Sequence, residues 1–321
     1  MPSQRVHSAR RTVSVAAPAH VVYGMLADAP RWPVLLPPYV HVERMDFDGA
    51  GETLLAWEFE DGRVRSSRLR RTLRPQARSV DFVQEDPAWP GDTVAGSWSV
   101  EPDGAERSLV TLRHETPHPY AAAGPDGLGA DVDEQLARLR EAAERWDRLD
   151  ELLLAFEERL RVDGPAELVY DFLYRVEDWP ELIPHVDDSS VREDRPGTQV
   201  VVLDTGATEA GPPAGSGEAG GSETVRLCFP HAGRIVFKET APPGPIAAHS
   251  GEWSLVPDES GLTVVCAHRV LLREESVEPT LGAGALPVDA RRHVRERLGR
   301  ESRETLRLAK WHAESPVRRL R

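Results

Sequence analysis

An internal repeat constrains the fold more than any other feature of this 321-residue chain. Four residue types recur at three fixed spacings, 155 positions apart: Arg71, Phe82, Gly96 and Trp98 in the first set, and Arg226, Phe237, Gly251 and Trp253 in the second. Self-similarity at a fixed offset identifies repeated structural units. A unit of about 150 residues is too long for a short-repeat solenoid and long enough for its own core. The repeat therefore predicts two copies of one domain.

The repeat extends toward both ends of the chain. Near the start, APAHVVYGMLADAPRWPVLLP matches the later segment GPAELVYDFLYRVEDWPELIP at an offset of 147 positions, and His114 matches His268 at an offset of 154. The different offsets place extra residues in the second copy, where TGATEAGPPAGSGEAGGSE at 205–223 has no apolar periodicity. Such a composition is typical of a flexible loop. We predict domains at 1–153 and 154–321, the second with a flexible Gly-rich insertion at about 205–223.

The order of predicted elements is the same in both copies. In the first, a strand at 12–16 precedes a helix that opens at Pro18, a short helix or turn after Trp32, and six strands between residues 40 and 114. A stripe of apolar residues then steps by three or four, which predicts a helix of about twenty residues. Its members are Val132, Leu136, Leu139, Ala143, Trp146, Leu149 and Leu153. The second copy ends in an equivalent helix over about 288–313. We expect an α+β fold in which each curved antiparallel sheet wraps around a long C-terminal helix and encloses a cavity.

Composition and charge exclude several classes of function. The formal net charge of −14 argues against a general nucleic-acid-binding protein, because phosphate binding needs clustered Lys and Arg. We find no apolar stretch long enough for a membrane span and no apolar core of a signal peptide, so we expect a cytoplasmic protein. Cys228 and Cys266 lie in apolar runs and are predicted to be buried, unpaired thiols. No zinc-type spacing and no Gly-rich phosphate loop occurs.

In its order of motifs the chain resembles the didomain aromatase/cyclases of bacterial type II polyketide biosynthesis, which belong to the helix-grip superfamily of START-like and plant-allergen-like domains. The motifs that carry the resemblance are the Pro…Val-Tyr helix, the Trp-Pro pair, the Arg of the central strand and the G-x-W strand. They occur in order and in both copies. The C-terminal copy adds VRLCFPHAGRIVFKE and AAHSGEW.

The resemblance implies an enzyme that needs no metal and no organic cofactor. Its substrate would be a poly-β-ketone on an acyl carrier protein, with one ketone already reduced, and its partners could include other type II polyketide synthase enzymes. The enzyme would close the first six-membered ring by aldol condensation and aromatise it by loss of water. The alternative is a helix-grip protein that binds a hydrophobic ligand or polyketide without catalysis. In a third arrangement, one copy is catalytic and the other is structural.

Two arginines are the first candidates for the chemistry. A fixed cation near a developing enolate stabilises it, and Arg stays charged and presents a fork of donors. Arg71 shares strand parity with Leu69 and should face inward, and Arg226 is its repeat equivalent. The alternative is that they are ordinary strand arginines. At Ser67 and Leu69, on the same face as Arg71, the family tends to place Trp and a hydroxyl residue.

Tyr39 and His249 are the candidates for proton transfer. Tyr39 lies seven residues after Trp32 and matches a pocket tyrosine of single-domain relatives, whereas the second copy has Val186 there. His249 precedes Gly251 by two residues, and an imidazole beside Arg226 could act as acid or base. The alternatives are a core tyrosine and a structural histidine. The predicted catalytic residues are therefore Arg71, Tyr39, Arg226 and His249.

A larger set is predicted to line the substrate pockets. Most of these residues are aromatic or small, as a flat ligand requires, and each has a structural alternative as a core residue. They are Trp32, Ser67, Leu69, Val94, Trp98, Trp179, Cys228, Trp253, His268 and Ser302.

The final helix carries a cluster of arginines. They are Arg291, Arg292, Arg295, Arg297, Arg300, Arg303 and Arg307. The plain interpretation is a solvated face. The alternative is a docking surface for an acidic acyl carrier protein, which would give a fast and salt-sensitive encounter.

Overall fold

The computed structural model describes residues 7–85, 93–116, 127–184, 186–204, 221–259 and 261–315. The chain divides into two compact units, Met1–Leu149 and Asp150–Arg321. Hydrophobic core clusters form separately within the first unit and within the second. Most of the predicted Gly-rich insertion lies outside the described residues, and its last three residues belong to a strand instead, which begins at Gly221.

The described residues of the first unit form one sheet and, before Leu149, three α-helices. In chain order these are β1 His7–Val15, α1 Ala19–Ala27, α2 Trp32–Leu35, β2 Tyr39–Phe47, β3 Gly51–Glu60, β4 Arg63–Arg74, β5 Ser79–Glu85, β6 Thr93–Pro102, β7 Ser108–Thr116 and α3 Gly127–Ala143. All neighbouring strands are antiparallel, in the order β1-β7-β6-β5-β4-β3-β2.

The second unit repeats this order after the short helix α4, Leu149–Leu152, which spans the boundary between the units. Its elements are β8 Leu153–Val162, α5 Ala166–Tyr174, α6 Trp179–Leu182, β9 Asp188–Arg195, β10 Thr198–Asp204, β11 Gly221–Phe229, β12 Arg234–Glu239, β13 Ile246–Asp258, β14 Gly261–Leu272, α7 Val277–Leu281 and α8 Pro287–Glu314. The strand order is β8-β14-β13-β12-β11-β10-β9, again antiparallel. The predicted α+β fold of two tandem domains is confirmed. The internal cavities stay a prediction.

One predicted helix was too long. The apolar stripe of the first copy was expected to be helical as far as Leu153, but α3 ends at Ala143. A turn containing Trp146 follows, and Leu153 begins a strand. The spacing of apolar residues continues through this reversal of the chain, and spacing alone gives no signal for a turn. The stripe of α8 is confirmed, since its apolar and small residues are buried along the whole helix.

The repeated residues form a single row across each sheet. In the first unit, cross-strand pairing joins Glu52 to Arg71, Arg71 to Phe82, Phe82 to Gly96, and Gly96 to His114. In the second unit the row is Gln199, Arg226, Phe237, Gly251 and His268. The constant spacings in the sequence therefore reflect the register of neighbouring strands.

The glycine of each row is required by a close approach. A Cβ atom on Gly96 would lie 2.6 Å from Cζ of Phe82 and 2.2 Å from a backbone oxygen of Arg113. A Cβ atom on Gly251 would lie 2.3 Å from Cζ of Phe237. Each phenylalanine ring therefore lies over the glycine of the next strand, which explains why the two residue types recur together.

The long helix of each unit packs on two neighbouring strands and on the first helix. Helix α3 contacts β1, β7 and α1, and helix α8 contacts β8, β14 and α5. A matched hydrogen bond anchors the end of each long helix. The backbone N–H of Ala16 donates to Glu144, and that of Asp163 donates to Glu314, at 3.1 and 2.7 Å. These equivalent contacts align α3 with α8. Twelve residues before each glutamate, Val132 of the first unit corresponds to Ser302 of the second.

Candidate functional site

Arg71 holds the end of the first helix. From β4, its guanidinium donates to the carbonyl oxygens of Leu26 and Ala27, at 2.7 and 3.1 Å. Nε1 of Trp32 donates to the carbonyl of Met25, at 3.0 Å. The two side chains thus satisfy three consecutive carbonyl groups at the C-terminal end of α1, where such groups lack partners and a cation is favourable. The same guanidinium lies 4.7 Å from the Trp32 ring centroid.

The second unit repeats this arrangement. Arg226 donates to the carbonyl oxygens of Leu173 and Tyr174, and Nε1 of Trp179 donates to the carbonyl of Phe172 at 3.0 Å. Each duplicated Arg and Trp therefore fastens a helix end to the sheet. This role explains the duplication, and the predicted catalytic roles of both arginines stay predictions.

The two arginines differ in their buried partners. Nε of Arg71 donates to the carboxylate of Glu52 at 2.8 Å, and both side chains are buried. At the equivalent place, Arg226 donates to the neutral amide oxygen of Gln199 at 3.0 Å. Burial lowers the pKa of both guanidinium groups, and for Arg71 the charge of Glu52 opposes that shift.

Tyr39 lies where the sequence predicts it, close to Arg71. Its ring centroid is 4.9 Å from that of Trp32, the ring on which the Arg71 guanidinium lies. Leu69 is buried in the same local cluster, and Ser67 is buried two residues before it on β4. The Ser67 hydroxyl has no hydrogen-bond partner among the described residues. The structure therefore gathers the predicted site of the first unit around Trp32.

The other predicted pocket residues lie in the two main cores. Val94 and Trp98 pack against the cluster between the sheet and α3, and Trp179, Cys228 and Trp253 belong to or pack against the cluster of the second unit. Both cysteines are free and buried, as predicted. Burial raises the pKa of the Cys228 thiol to about 11 and raises that of Cys266 further.

The second unit contains a chain of four polar side chains that reaches from β12 to α8. Nδ1 of His249 lies 3.1 Å from Oε1 of Glu239, and Nε2 of His249 lies 3.0 Å from Nδ1 of His268. Nε2 of His268 then lies 2.8 Å from Oγ of Ser302 and 3.2 Å from Sγ of Cys266. We call the residues Glu239, His249, His268 and Ser302 the relay. Arg226 donates its hydrogen bonds to Leu173, Tyr174 and Gln199, and the catalytic role of His249 beside it stays a prediction.

The rings around the relay fix its geometry. The two imidazoles stack with their centroids 5.2 Å apart, and Phe237 contacts both of them edge-on, at 5.4 and 5.9 Å. Phe156 stacks on the outer side of His268 at 4.7 Å. Both histidines and Ser302 are buried. The relay is therefore a rigid set of hydrogen-bonding groups inside the unit.

Electrostatics assign the states of the relay. Burial, assisted by the charges of His249 and Arg295, lowers the pKa of His268 to about 3, so this ring stays neutral. Burial alone would raise the pKa of Glu239, but the neighbouring His249 and Arg297 outweigh it and lower that pKa. Glu239 is therefore a carboxylate whose negative charge lies beside Nδ1 of His249, at 3.1 Å.

The first unit lacks the relay. Cross-strand pairing places Gln84 opposite Val94 where the second unit has Glu239 opposite His249. The helix alignment places Val132 where the second unit has Ser302, so only His114 is retained.

Sequence reasoning named three of the four relay residues and missed Glu239. The signal was present, because Glu239 precedes His249 by ten residues and lies on the neighbouring strand, with residues 240–245 connecting the two strands.

Comparisons with known proteins agree with this architecture. The family described as "Polyketide cyclase / dehydrase and lipid transport" matches residues 6–144 and again residues 162–292. The granaticin polyketide synthase bifunctional cyclase/dehydratase of Streptomyces violaceoruber is 32% identical over 317 residues, covering 96% of this chain and 95% of that protein. The actinorhodin counterpart of Streptomyces coelicolor is 34% identical over 316 residues, covering 94% and 96%.

The solved structure of the di-domain aromatase/cyclase BexL, from the BE-7585A biosynthetic pathway, is 35% identical and has a TM-score of 0.81, covering 96% of this chain and 99% of that one. The chain belongs to the di-domain polyketide aromatase/cyclase family. StfQ, the di-domain aromatase/cyclase of the steffimycin pathway, has a TM-score of 0.82 at 29% identity, covering 96% and 99%. The resemblance and the enzyme interpretation of this aromatase/cyclase are thus confirmed over the alternative of a non-catalytic binding protein.

Two further findings concern the described part of this aromatase/cyclase. None of its helices there is long and apolar enough to cross a membrane. Within the same residues, no group of three or more His, Cys, Asp or Glu side chains is arranged to hold a metal ion.

Proposed function

We propose that this aromatase/cyclase closes and dehydrates the first ring of a poly-β-ketone bound to an acyl carrier protein, and that the relay of the second unit moves the protons. The observation that carries the proposal is the unbroken series of contacts from Glu239 through His249 and His268 to Ser302, at 3.1, 3.0 and 2.8 Å. A cytoplasmic location stays a prediction.

The chemistry needs one group that accepts a proton and returns it. In the aldol step, a methylene between two ketones loses a proton, the resulting enolate carbon bonds to a ketone carbon, and the new alkoxide gains a proton. In the dehydration, a second C–H proton is removed and the hydroxyl leaves as water after it is protonated. Each step takes up one proton and gives one back, so a relay that holds one proton is sufficient.

The relay has two hydrogen-bond directions that differ by one proton. In the neutral state, Ser302 O–H donates to Nε2 of His268, and Nδ1–H of His268 donates to Nε2 of His249. With one proton added, His249 is a cation beside Glu239, and every bond between His249 and Ser302 reverses. Ser302 then accepts from His268 and its own hydrogen is free for the substrate. His268 stays neutral in both states, in agreement with its lowered pKa.

Each residue therefore has a distinct part in the proposal. Ser302 exchanges the proton with the substrate, His268 conducts it, and His249 stores it. Glu239 is a positioning residue, because its negative charge beside Nδ1 of His249 stabilises the protonated ring. Arg226 pairs with the neutral Gln199 instead of with a carboxylate, and the charges of Glu177 and Glu193 act on it from a greater distance. The positive charge of Arg226 supports its predicted stabilisation of an enolate.

The arginines of α8 support delivery by a carrier protein. Arg291 and Arg295 are engaged within the unit, by backbone carbonyls and by Glu158, and Arg303 also contacts Glu158 at 2.9 Å. Arg300 and Arg307 are exposed and form no ion pair with any described residue. These two are one heptad apart on one helix face, where they complement an acidic carrier protein.

The proposal is tested by product analysis in a reconstituted polyketide synthase that contains the full-length protein. Ser302→Ala should lower the yield of product with an aromatic first ring by about a hundredfold, since general acid-base catalysis contributes about 10²–10⁴ in rate. His249→Gln should have an effect of similar size.

The matched control is Thr305→Val, which removes another buried hydroxyl from α8, one that bonds only to the helix carbonyl of Glu301 at 3.0 Å. This variant should retain full product formation. Circular dichroism and thermal unfolding would establish that each variant is folded. A folded Ser302→Ala protein with wild-type product formation would exclude the relay as the proton-transfer device.

A further inference from the structure

A tyrosine stands at the same position of the first helix in both units, and its hydroxyl is buried in both. Tyr23 on α1 and Tyr170 on α5 are 147 positions apart, and each ring packs against the core of its own unit. Both hydroxyl oxygens are inaccessible to solvent, and among the described residues neither has a hydrogen-bond partner. The two units therefore keep the same unsatisfied polar group.

Packing does not require this group. A buried hydroxyl without a partner costs about 1–3 kcal/mol by protein mutational data, and the large majority of buried polar side chains are hydrogen-bonded. Phenylalanine would fill the same space without that cost. Since the same exception occurs twice, the partner of the hydroxyl is expected to come from outside the chain.

Each hydroxyl lies in the field of the arginine of the sheet row. Burial raises the pKa of Tyr170, and Arg226 opposes that shift; burial raises the pKa of Tyr23, and Arg71 opposes it. Both phenols therefore stay protonated and can donate a hydrogen bond. The arginines direct N–H groups to the helix-end carbonyls and to Glu52 or Gln199.

We propose that Tyr170 and Tyr23 are ligand-binding residues whose hydroxyl groups donate a hydrogen bond to a carbonyl or enolate oxygen of the polyketide. The phenol supplies the directional contact, and the nearby guanidinium supplies positive charge for a developing enolate. This inference rests on the proposed function, because it assigns one contact of its substrate class.

The test uses the full-length protein and two measurements. Thermal unfolding reports how much the buried hydroxyl lowers the stability of the fold. Isothermal titration calorimetry reports the binding of o-hydroxyacetophenone. This probe carries a ring hydroxyl beside a ketone, as the cyclised product does. Tyr170→Phe should leave the unfolding temperature unchanged or raise it. It should raise the Kd of the probe about threefold to tenfold, which corresponds to loss of one hydrogen bond of about 0.5–1.5 kcal/mol.

Tyr174→Phe is the matched control. Tyr174 lies one helical turn later on α5, but its hydroxyl contacts both carboxylate oxygens of Glu193 at 2.8 Å. Its removal should lower the unfolding temperature and leave the Kd unchanged. The same pair of measurements on Tyr23→Phe examines the first unit.

The inference is overturned if Tyr170→Phe and Tyr23→Phe both bind the probe with the wild-type Kd, or if both lower the unfolding temperature as Tyr174→Phe does. Absence of saturable probe binding to the wild-type protein would count against it equally. These outcomes are independent of the relay. Weakened binding in Tyr170→Phe together with full product formation in Ser302→Ala would retain the binding residue and reject the proposed proton transfer.

Discussion

The two units share one sheet row and one way of fastening the first helix, yet they differ in the polar groups around both. The first unit neutralises its buried arginine with Glu52, whereas the second pairs Arg226 with an amide. The second has the relay, whereas the first has Val94 and Val132 at two of the four positions. Duplication therefore preserved what the fold needs, and chemistry diverged at positions that the fold leaves open.

The comparison also separates two meanings of a repeated residue. Arg71 and Arg226 recur because each closes a helix end, and Gly96 and Gly251 recur because a phenylalanine ring lies over them. Recurrence within one chain therefore marks structural necessity first. In this protein, the guides to chemistry are residues of the second unit without a counterpart in the first, and repeated groups without a structural partner, such as the hydroxyls of Tyr23 and Tyr170.

The largest expected effect comes from Arg71→Ala. The substitution uncovers the carbonyls of Leu26 and Ala27, and it removes one of the two arginines that pair with the buried Glu52, leaving Arg44 at 2.7 Å. Breaking a buried ion pair in this way costs about 3–5 kcal/mol of unfolding free energy. Arg226→Ala leaves only neutral groups unpaired and should cost about 1–3 kcal/mol.

Urea denaturation followed by tryptophan fluorescence would measure both losses. Arg71→Lys is the control, because it keeps the positive charge but loses the fork of donors. Its unfolding free energy should lie between those of the wild type and Arg71→Ala. Equal losses for the two alanine variants would show that the carboxylate of Glu52 makes no difference between the units.

The second effect is a pH dependence of stability that arises from His268 in the second unit. Because the pKa of His268 is lowered to about 3 in the folded protein, the unfolded chain takes up a proton below about 6.5 that the folded chain does not. Stability from this group is therefore complete above pH 6.5 and falls as the pH decreases, by about 1.4 kcal/mol per unit.

Urea midpoints at pH 7.5 and 5.5 would measure this slope. The unfolding free energies at these two pH values should differ by about 1.4 kcal/mol less in His268→Asn than in the wild type, because the variant lacks the titrating group. His231→Asn, a change at an exposed side chain, is the control and should keep the wild-type difference. A His268→Asn slope as steep as that of the wild type would assign the dependence to other groups.

The fold could be read from the sequence to a large extent, because the evidence was redundant. Period-two strands, a period-3.6 helix and two copies of each gave the same order twice. The prediction that the helix continues to Leu153 was wrong, because one long stripe of apolar residues continues through a turn into the next strand. No residue between Ala143 and Leu149 is a glycine or proline that would have marked the reversal.

The site was less predictable, for a physical reason. Strand parity correctly predicted that the side chain of Arg71 points inward. Parity cannot predict its hydrogen-bond partners, which are two helix carbonyls and a carboxylate. The contact between His249 and His268 depends on the register between β13 and β14, which single residues do not reveal. Each histidine could therefore be predicted as a site residue, but their contact could not. Glu239 was missed because a carboxylate near a strand end is usually solvated.

A third prediction exchanges the partners of the two arginines. Glu52→Gln should cost about 1.5–3 kcal/mol, since a charge-assisted hydrogen bond becomes a neutral one in a buried site. Gln199→Glu should change stability little, because the new carboxylate attracts Arg226 but lies beside Glu193, which accepts from the Gln199 amide at 3.2 Å.

The readout that separates the units is product formation. Gln199→Glu neutralises Arg226 and should lower the yield of aromatic product about tenfold, or about 1.4 kcal/mol in the barrier. Glu52→Gln should leave the yield per folded protein unchanged. A wild-type yield with Gln199→Glu would show instead that the charge of Arg226 does not stabilise the enolate.

The smallest expected effect concerns the exposed arginines of α8. Arg300→Glu with Arg307→Glu should raise the apparent KM for a carrier-bound substrate about threefold to fivefold at low salt and have little effect at high salt, because interactions between exposed charges are screened. The value of kcat should not change, since neither side chain contacts the relay. The matched control is Arg10→Glu with Arg68→Glu, which makes the same charge change at exposed positions of the first unit. A KM that rises equally in both double variants would reflect net charge alone. A rise confined to the α8 variant would place the carrier protein on the second unit, which also contains the relay.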